Sequence, residues 1–186
     1  MMRSLLTGMA LVLALPVAAE TVGGVELDSA YRFDDSTELT LHGAGVREKY
    51  FFDIYVAALY LDQTDQPVQR MLGRDEAGRI EMHFVYDEIE RERLVEAWRD
   101  SIRANHDREV RGAVAGRLAR FLAQMPAMSA GDTLALTYRP GEGTRMVVNG
   151  GRLDTFDGGV FFRTLLGALI GPEPPDTDLK RGLLAS

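Results

Sequence analysis

The 186-residue sequence contains no cysteine, which excludes disulfides, thiol nucleophiles, Cys-ligated zinc and Cys-held iron–sulfur clusters. Basic side chains are also few, since 21 lysines and arginines stand against 28 aspartates and glutamates, for a net charge of −7. This charge excludes nucleic-acid binding and polybasic docking to anionic lipid, because both need a basic surface. The HExxH, GxSxG and Walker motifs are missing as well. An apolar fraction of 46% nevertheless supplies a packed core.

The first 19 residues have the pattern of a secretory leader. Arg3 precedes the apolar residues 5–15, Pro16 breaks that run, and residues 17–19 read Val-Ala-Ala. We expect a signal peptide at 1–19, cleavage after Ala19, a periplasmic or secreted location, and one domain at 20–186. A membrane anchor is the alternative, but the run is too short to cross about 30 Å of hydrocarbon.

Segments rich in β-formers flank a helical middle section. Strands are predicted at 21–27, 38–42, 50–61, 79–86, 134–139 and 144–149. Eleven of the twelve residues at 50–61 are apolar or aromatic, which predicts a central strand covered on both faces.

Helices are predicted where apolar residues recur at steps of three and four. The first stripe consists of Leu94, Val95, Trp98 and Ile102, and the second of Val110, Val114, Leu118, Phe121, Leu122 and Met125. A third helix is expected at 160–170 with Asp157 as its cap, and a fourth from Asp176 or Thr177. This order predicts an α+β fold with antiparallel pairing.

Residues 43–60 are the strongest candidates for a functional site. A hairpin would place Arg47 beside Tyr55, and Gly43 and Gly45 would leave free volume against the sheet. A guanidinium beside a phenol in an apolar cleft can hold a carboxylate. The alternative is that Arg47 pairs with Glu48 or Asp53 and that Tyr55 is ordinary core.

The three histidines are scattered and lack the spacing of a metal site. His42 and His83 lie in predicted strands, and His106 lies between the first two helices. No metal site is expected, although one imidazole suffices for haem. A haem or tetrapyrrole binder that uses one of these histidines is therefore an alternative.

Three segments resemble the chalcone isomerase family, in particular its bacterial, non-plant branch. GAGVR at 43–47 resembles the strand that presents the family's arginine, and YFFDIYVAALYLD at 50–62 resembles the next strand. LLGALIGPEPPDTDLKRGLLA at 165–185 resembles its C-terminal helices. The resemblance implies an open-faced β-sandwich, in which a layer of helices covers a large antiparallel sheet and a ligand cleft lies between them.

In this resemblance, Arg47 corresponds to the catalytic arginine of the plant enzymes, whereas the other polar residues of their active site are replaced in this sequence. The family's two threonine positions and its tyrosine, lysine and asparagine positions fall on Tyr55, Ala168, Leu94, Ala97 and Ser101, respectively. Without these donors, the anionic charge that develops during isomerisation loses most of its stabilisation. Non-catalytic plant relatives bind fatty acids and have an Arg–Tyr pair, which Arg47 and Tyr55 resemble.

We therefore expect a non-enzymatic periplasmic protein that binds a fatty acid or a similar amphipathic anion, with no catalytic residues. The predicted ligand contacts are Arg47, Tyr55, Phe51, Ala57, Leu59, Phe161, Leu165 and Ala168. Besides the haem binder, one alternative is an enzyme, either a weak isomerase or another acid–base catalyst that uses Arg47, Tyr55 and Asp53. The other is an interaction module for another envelope protein. Neither a nucleic-acid partner nor stable membrane insertion is expected.

Overall fold

The computed structural model describes residues 19–33, 37–62 and 73–184. The expected leader, up to residue 18, lies outside these residues, and Ala19 begins the first strand. The strands are β1 Ala19–Val22, β2 Val25–Asp28, β3 Ala30–Arg32, β4 Glu38–Lys49, β5 Phe52–Leu61, β6 Gly78–Phe84, β7 Glu88–Ile89, β8 Met128–Ser129, β9 Thr133–Arg139, β10 Gly143–Val148 and β11 Gly151–Phe156. The helices are α1 Arg91–Asn105, α2 Arg108–Gln124, α3 Gly159–Ile170 and α4 Thr177–Leu184.

A seven-stranded sheet organises the described part of the chain. Its strands lie in the order β11-β10-β9-β6-β5-β4-β3, and every neighbouring pair is antiparallel. The β1–β2 hairpin and the β7–β8 pair form two small additional sheets. The α+β class and the antiparallel pairing predicted from the sequence are confirmed.

Strand β5 runs through the middle of the molecule with both faces covered, as its apolar composition predicts. Tyr55, Ala57 and Leu59 belong to the main core, between the sheet and the helices. Val56 and Ala58 belong to a smaller core on the opposite face. This alternation is the two-residue period of a strand, and it places Tyr55 on the helix side.

The helices cover one face of the sheet with the predicted stripes. The buried side chains of α1 are the four predicted ones, and those of α2 are Val114, Phe121 and Leu122. Asp107 caps α2 by accepting a hydrogen bond of 2.9 Å from the Val110 amide. Among the described helices, none has both the length and the apolar character needed to cross a membrane.

The predicted cap of α3 is wrong. Gly158, not Asp157, is the N-cap residue, and no side chain caps this helix. Gly158 has a φ of 80°, a conformation that glycine adopts without the steric cost of a side chain. The Asp157 carbonyl instead accepts a hydrogen bond of 2.6 Å from Arg117 on α2.

The expected free volume beside the glycines of β4 is also wrong at Gly45, because helix α4 fills it. A Cβ on Gly45 would lie 2.7 Å from the Leu179 carbonyl oxygen. A Cβ on Gly182 would clash with the Ala44 carbonyl oxygen. The two glycines therefore allow backbone-to-backbone packing of α4 on β4, and Leu179 and Leu183 enter the main core.

Candidate functional site

Arg47 and Tyr55 lie directly opposite each other on β4 and β5. Their Cα atoms are register partners, next to an irregularity between Arg47 and Glu48. The guanidinium carbon lies 5.5 Å from the centre of the Tyr55 ring. The hairpin thus brings together the two residues from which the sequence predicts a carboxylate clamp.

The described residues do not satisfy all the hydrogen-bond donors of Arg47. Its Nε is buried and has no hydrogen-bond partner there. Arg47 also takes part in none of the ion pairs between described residues. The proposed pairing with Glu48 or Asp53 is therefore not formed, and both of these side chains are exposed. A buried donor without a partner is costly unless another group satisfies it.

Tyr55 is buried beside this guanidinium. Burial raises the pKa of its hydroxyl, while the charge and hydrogen bonding of Arg47 oppose the increase, and nearby Asp176 adds to it. Tyr55 is therefore protonated at neutral pH and can donate a hydrogen bond. Arginine and tyrosine together offer a carboxylate several donors at one place.

A cleft of about 1030 Å³ opens in front of Arg47. This volume is at the upper end of the range for small-molecule sites, roughly 300–1,000 Å³. Its apolar and aromatic walls include Phe52, Ile54, Tyr86 and Ile89. The lining also includes acidic and basic side chains: Glu88, Glu90, Glu96, Asp100, Glu173, Arg47, Lys49 and Arg93.

Behind Arg47 and Tyr55, the site narrows to a recess of about 20 Å³. This is about the space that a single water needs. Leu94, Ala97 and Ser101 line it from α1, so the positions that match the family's polar helix residues do face Arg47. The Ser101 hydroxyl is already engaged, since it donates to the Ala168 carbonyl.

The segment after α3 forms another wall of the cleft and is held by hydrogen bonds. The Asn105 side chain donates to the Glu173 carbonyl and accepts from the Glu173 amide, at 2.7 and 2.9 Å. The Asp176 carboxylate accepts from the Glu48 amide at 3.1 Å and from the Leu179 amide at 2.9 Å. Asp176 therefore caps α4, as predicted, and ties this wall to the end of β4.

Tyr55 lines the recess but not the larger cleft, and the other predicted ligand contacts line neither of them. Phe51 lies in the turn between β4 and β5 and is 95% exposed. The remaining five are fully buried in the main core: Ala57, Leu59, Phe161, Leu165 and Ala168. The core is closed around these side chains, and the available space extends outward from Arg47.

The three histidines occupy separate places. His42 is buried with its Nδ1 unpartnered among the described residues, and burial lowers its pKa. His83 lies 3.5 Å from a Glu81 carboxylate oxygen. His106 Nε2 lies 2.9 Å from the Thr164 carbonyl. The described residues contain no cluster of three or more His, Asp or Glu side chains that could hold a metal ion.

Several residues that shape the cleft are not identified by sequence reasoning. Tyr86 and Ile89 follow β6, and Pro174 and Pro175 precede α4. The proline pair is a signal for an extended wall, because a residue before proline avoids helical geometry. The positions of Tyr86 and Ile89 depend on tertiary packing and carry no comparable signal.

The buried tyrosines predict a loss of stability at alkaline pH. Burial raises the pKa of Tyr55 and Tyr60, and burial with a hydrogen bond to Asp75 raises the pKa of Tyr138 to about 12. Unfolded tyrosines ionise near 10.0, so ionisation above that pH favours the unfolded state. The free energy of unfolding should therefore be maintained up to pH 10 and fall as the pH rises towards 12.

Denaturant titrations across this pH range provide the measurement. Tyr138→Phe is the matched variant, since it removes one ionisable hydroxyl and should make the decline less steep. An unfolding free energy that stays constant through pH 12 would contradict the prediction.

Together, the fold and the cleft define an open-faced β-sandwich in which Arg47 lies between a large antiparallel sheet and its helical layer. Residues 19–185 match the model of the chalcone isomerase-like family. The chain belongs to this family, and the resemblance expected from the sequence is confirmed.

The fold also has a counterpart among solved structures. A fatty-acid binding protein of Arabidopsis thaliana superposes with a TM-score of 0.64 and 18% sequence identity. The likeness covers 87% of this chain and 92% of that chain. At this identity it establishes the shared fold. A search of curated proteins finds no significant match.

Proposed function

We propose that this protein is a periplasmic, non-enzymatic binding protein for a long-chain carboxylate such as a fatty acid. The observation that carries the proposal is the buried Nε of Arg47, which has no hydrogen-bond partner among the described residues and lies at the inner end of a large cleft. A ligand carboxylate would satisfy this donor, and Tyr55 would donate a further hydrogen bond to it. The periplasmic location follows from the expected leader.

The apolar tail would run outward from Arg47 along the cleft. The recess behind Arg47 and Tyr55 is too small for an acyl chain, whereas Ile54, Phe52 and Tyr86 form an apolar path towards the cleft mouth. Burying even eight methylenes contributes roughly 6 kcal/mol before ordering costs. Micromolar affinity needs about 8 kcal/mol, so the contacts of the carboxylate with Arg47 must supply the remainder.

Two further observations support binding over catalysis. At the three α1 positions that match the family's polar residues no free donor is present, since Leu94 and Ala97 are apolar and the Ser101 hydroxyl is engaged. Isomerisation needs such donors around the developing anion. The structurally similar Arabidopsis protein is named as a fatty-acid binding protein.

Native mass spectrometry of the protein expressed with its leader tests the proposal directly. We expect adducts with masses of fatty acids, and recovery of these acids after denaturation. The delipidated protein should bind a long-chain fatty acid at least about tenfold more tightly than the alcohol of equal length, because only the acid carries a charge for Arg47. Equal affinity for acid and alcohol would overturn the assignment of the carboxylate to Arg47. A chalcone turnover rate above background would favour the isomerase-type alternative.

A further inference from the structure

The turn between β4 and β5 presents an unusual cluster of exposed aromatic side chains. Tyr50, Phe51 and Phe52 are 80%, 95% and 57% exposed, and neighbouring Tyr86 is 36% exposed. Phe52 and Tyr86 pack edge-to-face with their ring centres 5.8 Å apart. We call these four residues the aromatic tip. The described part of the chain exposes six large apolar side chains, and four of them belong to this tip. Contiguous exposed patches of this kind usually mark an interaction surface.

The backbone conformation of the aromatic tip does not favour these residues. Tyr50 and Phe51 are the two loop residues of the hairpin, and their φ angles are 52° and 70°. Positive φ at both positions is the type I′ pattern, for which Asn-Gly is strongly preferred. Bulky residues at positive φ cost folding free energy, and such strain concentrates at functional positions. The sequence therefore keeps aromatic rings where the turn itself would favour small residues.

The chemistry of the aromatic tip fits the headgroup region of a lipid bilayer. Tyrosine is enriched there because its ring is apolar and its hydroxyl is polar. Lys49 lies next to the tip, with its Nζ 5.5 Å from the Tyr50 ring centre, and can extend to a phosphate. Glu48 and Asp53, which are also exposed, can pair with a headgroup amine.

The charge of the molecule determines which lipid is favoured. The chain has a net charge of −7, and its cleft rim includes Glu88, Glu90 and Glu173. An anionic membrane would repel this surface. Zwitterionic headgroups instead present a negative phosphate to Lys49 and a positive amine to Glu48 and Asp53. We propose that the aromatic tip docks reversibly on a zwitterionic lipid surface, with Phe51 as the side chain that penetrates deepest.

Docking would also orient the cleft. Tyr50, Phe52 and Tyr86 belong both to the aromatic tip and to the cleft lining, so the cleft mouth would face the lipid. A fatty acid could then pass between the bilayer and Arg47 with little exposure of its tail to water. This consequence rests on the proposed function, whereas the docking itself does not.

The test uses phosphatidylcholine vesicles without fatty acid, so that its result is independent of ligand binding. Co-sedimentation of the purified protein should show association, and Phe51→Ser should weaken it about tenfold through loss of one buried aromatic ring. Leu153→Ser is the matched control, since Leu153 is 44% exposed on the edge strand β11, four positions away from β5 in the sheet. This variant should associate like the parent protein.

A second variant separates docking from folding. Tyr50→Asn with Phe51→Gly places the preferred residues in the turn, so the protein should unfold at a higher denaturant concentration and yet lose vesicle association. Absence of association in the parent protein would overturn the proposal, and so would association of both tip variants as strong as that of the parent protein. A requirement for anionic lipid, or tip-dependent self-association in place of vesicle binding, would do so as well.

Discussion

Replacing Arg47 by alanine should lower the affinity for a long-chain carboxylate by about two to three orders of magnitude. A guanidinium that holds a carboxylate with two charge-assisted hydrogen bonds contributes about 3–4 kcal/mol, which corresponds to that factor. The Nε of Arg47 is buried and has no partner among the described residues, so little of this interaction is lost to competing ion pairs. Isothermal titration of the delipidated protein with a fatty acid gives the measurement.

Two conservative variants separate charge from geometry at this site. Arg47→Lys keeps the charge but loses the planar fork, so its affinity should fall about tenfold. Tyr55→Phe removes one hydroxyl donor at about 1 kcal/mol, so its affinity should fall about fivefold. If Arg47→Ala binds as tightly as the parent protein while its denaturation curve is unchanged, Arg47 does not hold the ligand.

Replacing Gly45 by alanine should destabilise the protein by about 3 kcal/mol, because overpacking at a rigid contact is expensive. The new Cβ would lie 2.7 Å from the Leu179 carbonyl oxygen, and 3.0 Å from its Cα. Both atoms are backbone, so α4 can yield only by moving away from β4 as a unit. Urea denaturation with a two-state fit measures this change.

Gly116→Ala is the matched control for this substitution. Gly116 lies inside α2, and a Cβ there meets no atom within 4 Å. Alanine should therefore stabilise α2 by about 0.5–1 kcal/mol, since glycine is unfavourable in a helix interior. If Gly45→Ala and Gly116→Ala change stability in the same direction, the close packing of α4 on β4 does not determine the cost.

Most helices and strands of the fold are predictable from local sequence patterns, because each buries one face or both faces and the apolar residues recur accordingly. The stripe of Leu94, Val95, Trp98 and Ile102 predicts the buried face of α1. Residues 50–61 predict a strand covered on both sides, and the structure confirms it. The short pair β7–β8 and the edge strand β11 are missed, since two residues or a polar edge strand carry little periodicity.

The site is predictable only in part. The opposition of Arg47 and Tyr55 follows from one hairpin, which is a local feature of the chain. The direction of the free space does not follow, because it depends on whether the core behind Tyr55 is filled. Filling that core requires α4 to approach β4 closely, and this contact depends on two glycines in distant segments, Gly45 and Gly182.

The hydrogen bond from the Glu48 amide to Asp176 joins positions that are 128 residues apart in the chain. Contacts of such long range form late in folding, because a large loop must first be closed. The hairpin with Arg47 can therefore assemble early, whereas the wall at residues 173–175 must wait for the C-terminal segment. Until the C-terminal segment has folded, Arg47 lies on a hairpin without this wall, and the cleft in front of it is complete only when folding is complete.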